Sequence, residues 1–118
     1  MDIQTVAAEI REKIDRLRDG RKDLARRADN KANAIGEYEK HLAIVLIGLR
    51  NGKEYVLDGV AIKDPPVTIA ERIARGICYQ EKINAEKAEA EYRNAIAGMS
   101  ALEAELNGLQ SINRYLAE

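Results

Sequence analysis

Four side chains whose chemistry suits an anion recur at helical spacing in the second half of the chain. They lie three, four and three residues apart, so one face of a continuous helix would carry all of them. The four are Arg72, Arg75, Tyr79 and Lys82. Arginine can hold phosphate oxygens through two parallel hydrogen bonds, and tyrosine offers a plane on which a base can stack. We therefore predict a binding site for an anionic nucleotide on this face.

The predicted start of the same helix adds to the site. Asp64-Pro65-Pro66 favours an extended backbone, and the segment from Thr68 to Glu71 matches a capping box with Thr68 as the N-cap. Free amide groups at a helix N-terminus favour an anion. We therefore include Thr68 and the nearby Lys63 among the predicted ligand-binding residues.

Two further observations qualify this site. Arg114 and Tyr115 form a second, smaller set of ligand-binding candidates at the C-terminus, where a basic residue also suits the negative end of a helix. The alternative for the main set is a solvated face on which the basic residues pair with acids. Those acids would be Glu71, Glu81 and Glu86, or acids of another subunit.

Residues for catalysis or metal binding are scarce. The chain has one histidine and one cysteine. His41 has no second histidine or cysteine within a helical turn, so we expect it beside the packed face and not in a metal site. Cys78 is predicted to be buried, although the neighbouring Arg75 and Lys82 leave open a thiol of lowered pKa. The sequence predicts neither an enzyme nor a metal or cofactor site.

The elements that must position these residues are mainly helical. Apolar residues recur three, four or seven apart, which predicts a first helical arm over residues 1–50, with a break near 20 or within 29–36 left open. Asp58-Gly59 between two β-prone runs predicts a β-hairpin over residues 53–63. A second helical arm is expected over residues 69–116.

Equal arms around a short turn predict a mainly α, coiled-coil-like antiparallel helical hairpin with the β-hairpin at its tip, in a single domain of residues 1–118. A chain of 118 residues buries a limited core, so a homo-oligomer is expected. Basic residues of the first arm would face acidic residues of the second, or alternatively contact nucleic acid. This basic cluster comprises Arg16, Arg18, Arg21, Lys22, Arg26 and Arg27.

The net charge and the length of the apolar stretches limit which partners we expect. The net charge of -1 gives no global attraction to nucleic acid or to an anionic membrane. The N-terminus lacks a signal-like apolar run, and the longest apolar stretch, from Leu42 to Ile47, is too short to cross a bilayer. These features predict a cytoplasmic protein with no membrane partner.

Three strings of the sequence stand out: Tyr38-Glu39-Lys40-His41-Leu42-Ala43-Ile44, the segment from Pro66 to Cys78, and the tail from Ser100 to Ile112. With these strings the chain resembles, over about residues 35–115, small helical proteins from the early regions of phages and prophages. Such proteins often lie near genes of single-strand annealing and recombination. The resemblance implies a viral protein acting in the host cytoplasm.

These observations lead to three hypotheses of function. The first is a non-enzymatic homo-oligomer that sequesters a cyclic nucleotide signal of bacterial antiviral defence, by analogy with phage sponge proteins. The second is an accessory or scaffold protein of phage recombination or replication that binds single strands or partner proteins. The third is a prefoldin-like holdase or assembly factor, which would multimerise through the β-hairpin and expose apolar residues such as Leu106, Leu109 and Leu116.

Overall fold

The computed structural model describes residues 2–117. It contains helix α1 (Ile3–Arg50), strands β1 (Tyr55–Leu57) and β2 (Val60–Ile62), helix α2 (Val67–Ile77) and helix α3 (Tyr79–Ala117). The prediction of a mainly helical chain with a two-stranded antiparallel hairpin is confirmed. The described chain forms two compact units. We call residues 30–89 the central unit, and residues 2–29 together with 90–117 the terminal unit.

Helix α1 runs without interruption through both places where the sequence left a break open. Gly20 is accommodated because the side chain of Met99 packs against it, where an added Cβ would collide with the sulfur atom. Asp23 binds both Arg26 and Arg27 across one helical turn, which adds local support to the helix after the glycine. Within the terminal unit, packing and local ion pairs therefore offset the cost of a glycine inside a helix.

The end of α1 follows the prediction. Gly52 has φ +80, and the N–H of Lys53 donates to the carbonyl of Gly48 at 2.9 Å. The N–H of Gly52 donates to the carbonyl of Leu49 at 3.3 Å. Together these bonds form a Schellman motif, in which the left-handed residue lets the chain turn back over the last helical carbonyls.

The hairpin has the turn that Asp-Gly favours. Asp58 and Gly59 have φ of 47 and 78, and Leu57 pairs directly with Val60 across them. Two positive φ angles in a two-residue loop are the mark of a type I′ turn, whose twist matches that of the strands. Tyr55 and Ile62, a pair in the register, pack against the core of the central unit.

The predicted second arm is corrected in two places. Helix α2 begins at Val67, its N-cap is Pro66, and no side chain caps it, so Thr68 is not the N-cap. The reason is that the carbonyl of Pro66 already accepts the N–H groups of Ile69 and Ala70, at 3.0 and 3.1 Å. Thr68 therefore lies inside the first turn.

The second correction is a break at Cys78, where the sequence predicted a continuous helix. Cys78 has φ -91 and ψ 21, and its N–H is directed at the carbonyls of both Ala74 and Gly76. Its side chain is fully buried, in a cluster with Val45, Leu49 and Ala74. The helix axis is thus interrupted where a core side chain follows two residues after a glycine, the residue least costly to deform.

Helices α1 and α3 pack side by side within the terminal unit. Lys13 Nζ lies 2.9 Å from Glu105 Oε2, and Arg27 Nη1 lies 3.7 Å from Glu91 Oε2. Rising numbers on one helix meet falling numbers on the other, so the packing here is antiparallel. Val6 and Leu17 are the buried side chains of α1 in this unit.

Candidate functional site

The predicted anion-binding face lies in the central unit, but it is divided between two helices. Arg72 and Arg75 belong to α2, whereas Tyr79 and Lys82 belong to α3. The break at Cys78 lies between the two pairs, so the assumption of one continuous helical face no longer holds. The four residues remain candidates, and the environment of each must be considered separately.

The two arginines of α2 differ in their partners. Arg75 Nη2 donates to Glu71 Oε1 at 2.7 Å, with 57% of the arginine side chain exposed. This is one of the pairings expected if the face is only solvated. Arg72 is also exposed, and it forms no ion pair within residues 2–117. Arg72 is therefore the guanidinium on this face whose charge is available to a ligand.

Tyr79 lies at the start of α3, beside the hairpin turn. Together with Leu57, Asp58 and Gly76 it lines an open depression of about 400 Å³. The tyrosine is 57% exposed, so its ring is accessible for stacking. Asp58 at the rim would repel an anion placed close to the turn.

Lys82 faces a different neighbour. Its Nζ lies 6.0 Å from the centroid of the Tyr38 ring on α1, at the outer limit of a cation–π contact. Lys63 follows β2 and is exposed, and Thr68 is exposed in the first turn of α2. The depression beside Tyr79 is lined by none of the other predicted residues.

Arg114 and Tyr115 lie in the terminal unit, near the end of α3. Tyr115 is 78% exposed, and Arg114 is in the last turn of the helix. A positive charge there interacts favourably with the helix dipole. The position of Arg114 thus has a local structural explanation.

A histidine–glutamate contact joins α1 to α3 in the central unit, and sequence reasoning missed it. His41 Nδ1 lies 2.8 Å from Glu81 Oε1, although the contact lacks the geometry of a full hydrogen bond. Glu37, Lys40 and Ile44 border the same depression. Forty residues separate the two partners, so no local sequence pattern could have indicated the pair. The described residues contain no group of three histidine, cysteine or acidic side chains arranged for a metal ion.

The environment of Cys78 argues against a reactive thiol. Burial raises the pKa of this thiol, and the negative charge of Glu81 raises it further. The alternative that Arg75 and Lys82 lower the pKa of this thiol is therefore wrong. A protonated, buried thiol packs as a small apolar side chain.

An outward apolar patch on α1 is the other feature that the sequence did not reveal. The eight residues from Leu42 to Leu49 are all apolar or glycine. They make up more than two turns, so this segment of helix is apolar on every side. Val45 and Leu49 are buried, with 1% and 2% of their surface exposed. Ile44 and Ile47, in contrast, are 52% and 60% exposed. The central unit therefore covers only one side of an apolar helical segment.

Comparisons with protein-family models, curated proteins and solved structures found no match to this chain. Within residues 2–117, no helix combines the length and the apolar character needed to cross a membrane.

Proposed function

We propose that the protein is a non-catalytic binding protein that works as an assembly of identical copies. The observation that carries this proposal is the exposure of Ile44 and Ile47 within an apolar segment whose other side is core. A helix that is apolar all round is normally buried all round. Association of copies would remove the exposed side from water.

The small core supports the same proposal. In the central unit the fully buried cluster consists of Val45, Leu49, Ala74 and Cys78, two of which are small side chains. Burial of apolar area stabilises a protein by about 25 cal/mol per Å², so alanine and cysteine contribute little. Exposed apolar residues on the same unit provide area that assembly can bury.

Sedimentation velocity over a range of protein concentrations tests the assembly. The monomer mass is 13.2 kDa, and we expect a concentration-dependent shift to a multiple of it. A single monomeric species at all concentrations up to hundreds of micromolar would contradict the proposal. Circular dichroism of the same samples establishes that the chain is folded.

For the ligand, we propose an anionic nucleotide bound at the outer face of α2 and the start of α3. Two observations support this site. Arg72 is exposed and has no ion-pair partner in the described chain, and Tyr79 is exposed at the start of α3, just after the break at Cys78. The first turn of α2 also lacks an acidic residue and a side-chain cap. Guanidinium, free amides and an aromatic plane suit phosphate and base together.

A cyclic di- or trinucleotide is the form we propose, because several phosphates on one ring can engage equivalent arginines of adjoining copies. Sequestering such a signal of bacterial antiviral defence requires affinity and no catalytic group. The same function is suggested by analogy with phage sponge proteins, whereas the resemblance to phage early-region proteins implies only a viral origin.

Calorimetric titration with cyclic dinucleotides, cyclic trinucleotides and cyclic ADP-ribose isomers tests the ligand. Arg72→Ala combined with Arg75→Ala should weaken binding at least about tenfold, since charge-assisted hydrogen bonds contribute about 1.5–3 kcal/mol each. The matched control removes two basic residues of the terminal unit, Arg21 and Lys22, and should leave affinity unchanged.

Two results would overturn the ligand proposal. One is the absence of heat with every nucleotide. The other is equal loss in the control, which would move binding to the basic cluster of α1. Steep salt dependence with single-stranded DNA would then favour the accessory role in recombination.

A further inference from the structure

The outward apolar patch of α1 has the charge pattern of a surface that pairs with itself. Lys40, Ala43, Ile44 and Ile47 stand at the helical spacing i, i+3, i+4 and i+7, so they share one face. All four are exposed. The aliphatic stem of Lys40 can extend the apolar surface while its ammonium group stays in water.

Two opposite charges flank this face at its two ends. Glu39 and Arg50 are eleven residues apart, which is close to three full turns, so both lie on the same flank of α1. Both are exposed, and neither forms an ion pair within residues 2–117. Asp64 borders the same depression as Arg50 but forms no ion pair with it.

This arrangement selects an antiparallel partner helix of the same sequence. A two-fold axis perpendicular to two antiparallel helices brings equal flanks together and opposes residues whose numbers have a constant sum. With the axis between residues 44 and 45, Glu39 of each copy faces Arg50 of the other. Ile47 then packs against Lys40 and Ala43 of the other copy, and the two Ile44 side chains meet near the axis.

A parallel two-fold pairing would not bring these charges together. Its axis runs along the helices, so the flank that carries Glu39 and Arg50 lies on opposite sides of the contact in the two copies, and the Glu39–Arg50 pairs could not form. A partner of different sequence would need its own opposite charges at the same separation. The second copy of this chain already has them.

We infer that α1 of one copy docks antiparallel on α1 of a second copy, with Ala43, Ile44 and Ile47 at the centre and Glu39–Arg50 ion pairs at both ends. This inference rests on the proposed assembly of identical copies and specifies the surface that forms it. A contact centred on three apolar side chains from each copy is expected at the weak end of specific interfaces, with a dissociation constant on the order of micromolar.

Charge reversal provides the sharpest test, with the association constant measured by sedimentation equilibrium. Glu39→Arg alone and Arg50→Glu alone should each weaken association about tenfold, since each replaces two attractive contacts with two repulsive ones. The double variant, Glu39→Arg with Arg50→Glu, restores opposite charges and should regain most of the loss. Only a contact between copies produces this rescue.

Ile44→Glu tests the centre of the surface. It should weaken association about 100-fold or more, because the two Ile44 side chains meet near the axis and the change buries two like charges side by side. Its matched control is Val56→Glu on the hairpin, where the valine is 67% exposed, and this change should leave the mass unaltered. Circular dichroism of both variants confirms that the helices remain.

The outcomes separate this inference from the proposed function. If the native protein is monomeric, the proposed assembly itself is wrong. If it associates, but Ile44→Glu and the charge reversals leave association unchanged, then another surface forms the assembly and the inference is wrong. Loss of association in Val56→Glu instead of Ile44→Glu would assign the contact to the β-hairpin.

Discussion

Two glycines of α1, Gly36 and Gly48, should respond in opposite ways to the same substitution. Alanine is favoured over glycine in a helix interior by about 1 kcal/mol, so both changes gain this amount locally. At Gly36 an added Cβ meets nothing within 4 Å. We therefore expect Gly36→Ala to stabilise the protein by about 0.5–1 kcal/mol.

At Gly48 the same Cβ would collide with the side chain of Tyr55. The Tyr55 hydroxyl is the atom nearest to this added Cβ, and two carbons of the tyrosine ring lie 3.2 Å from it. The ring cannot yield easily, because Tyr55 packs on the core cluster and Lys53 Nζ lies 5.0 Å from its centroid. Overpacking of this kind costs about 1–3 kcal/mol, which cancels or exceeds the helical gain.

The difference between the two alanine variants should therefore be about 1–3 kcal/mol in favour of Gly36→Ala. Urea unfolding followed by circular dichroism, at one fixed protein concentration, measures it. Adding Tyr55→Phe to Gly48→Ala removes the hydroxyl and should recover part of the loss, in a double-mutant cycle of non-zero coupling. Equal stabilisation by both alanines would refute the placement of Tyr55 against α1.

Three further substitutions report on ionisation and on the hairpin. Burial raises the pKa of the Cys78 thiol. The contribution of this thiol to stability is therefore complete below the ordinary thiol pKa, about 8.5, and declines as pH rises through the folded-state pKa. Under reducing conditions, Cys78→Ala should flatten the dependence of the unfolding free energy on alkaline pH. The hydrogen bond and charge of Lys13 lower the pKa of Glu105. This carboxylate therefore contributes stability above its ordinary pKa, about 4.3, and the contribution is lost as pH falls through the folded-state pKa. Lys13→Met should reduce the dependence of the unfolding free energy on acidic pH, and an unchanged acid profile would exclude the ion pair. Gly59→Ala forces a side chain onto φ 78 and should destabilise the hairpin by about 1 kcal/mol, seen as a lower urea midpoint, whereas full tolerance would argue against the type I′ turn.

The features predictable from the sequence are those encoded locally. Apolar residues at helical spacing indicated the helices, and Gly52 and Asp58-Gly59 indicated the helix end and the hairpin turn. Each of these signals acts within a few residues and was confirmed by backbone geometry. The start of α2 was displaced because the capping-box pattern at Thr68 competes with the Pro66 carbonyl, which already receives two amide hydrogen bonds.

The features that the sequence did not predict depend on tertiary contacts. The break at Cys78 lies where α2 contacts the hairpin and where the Cys78 side chain joins the core. A Cβ added at Gly76 would lie 3.4 Å from Leu57 of the hairpin. The His41–Glu81 contact joins distant parts of the chain. The anion site at Arg72, Arg75, Tyr79 and Lys82 stays a prediction, and the break makes its geometry different from the continuous face that the spacing suggested.

The proposed assembly would link folding to association through the outward patch of α1. The buried cluster of the central unit is small, and Ile44 and Ile47 each leave about half or more of their surface in water. Covering them with a second copy would add apolar burial to the same helix whose inner side carries Val45 and Leu49. Any partner that binds only the folded chain raises its stability by mass action. The unfolding midpoint should therefore rise with protein concentration, and Ile44→Glu should remove this rise while leaving the midpoint at high dilution almost unchanged.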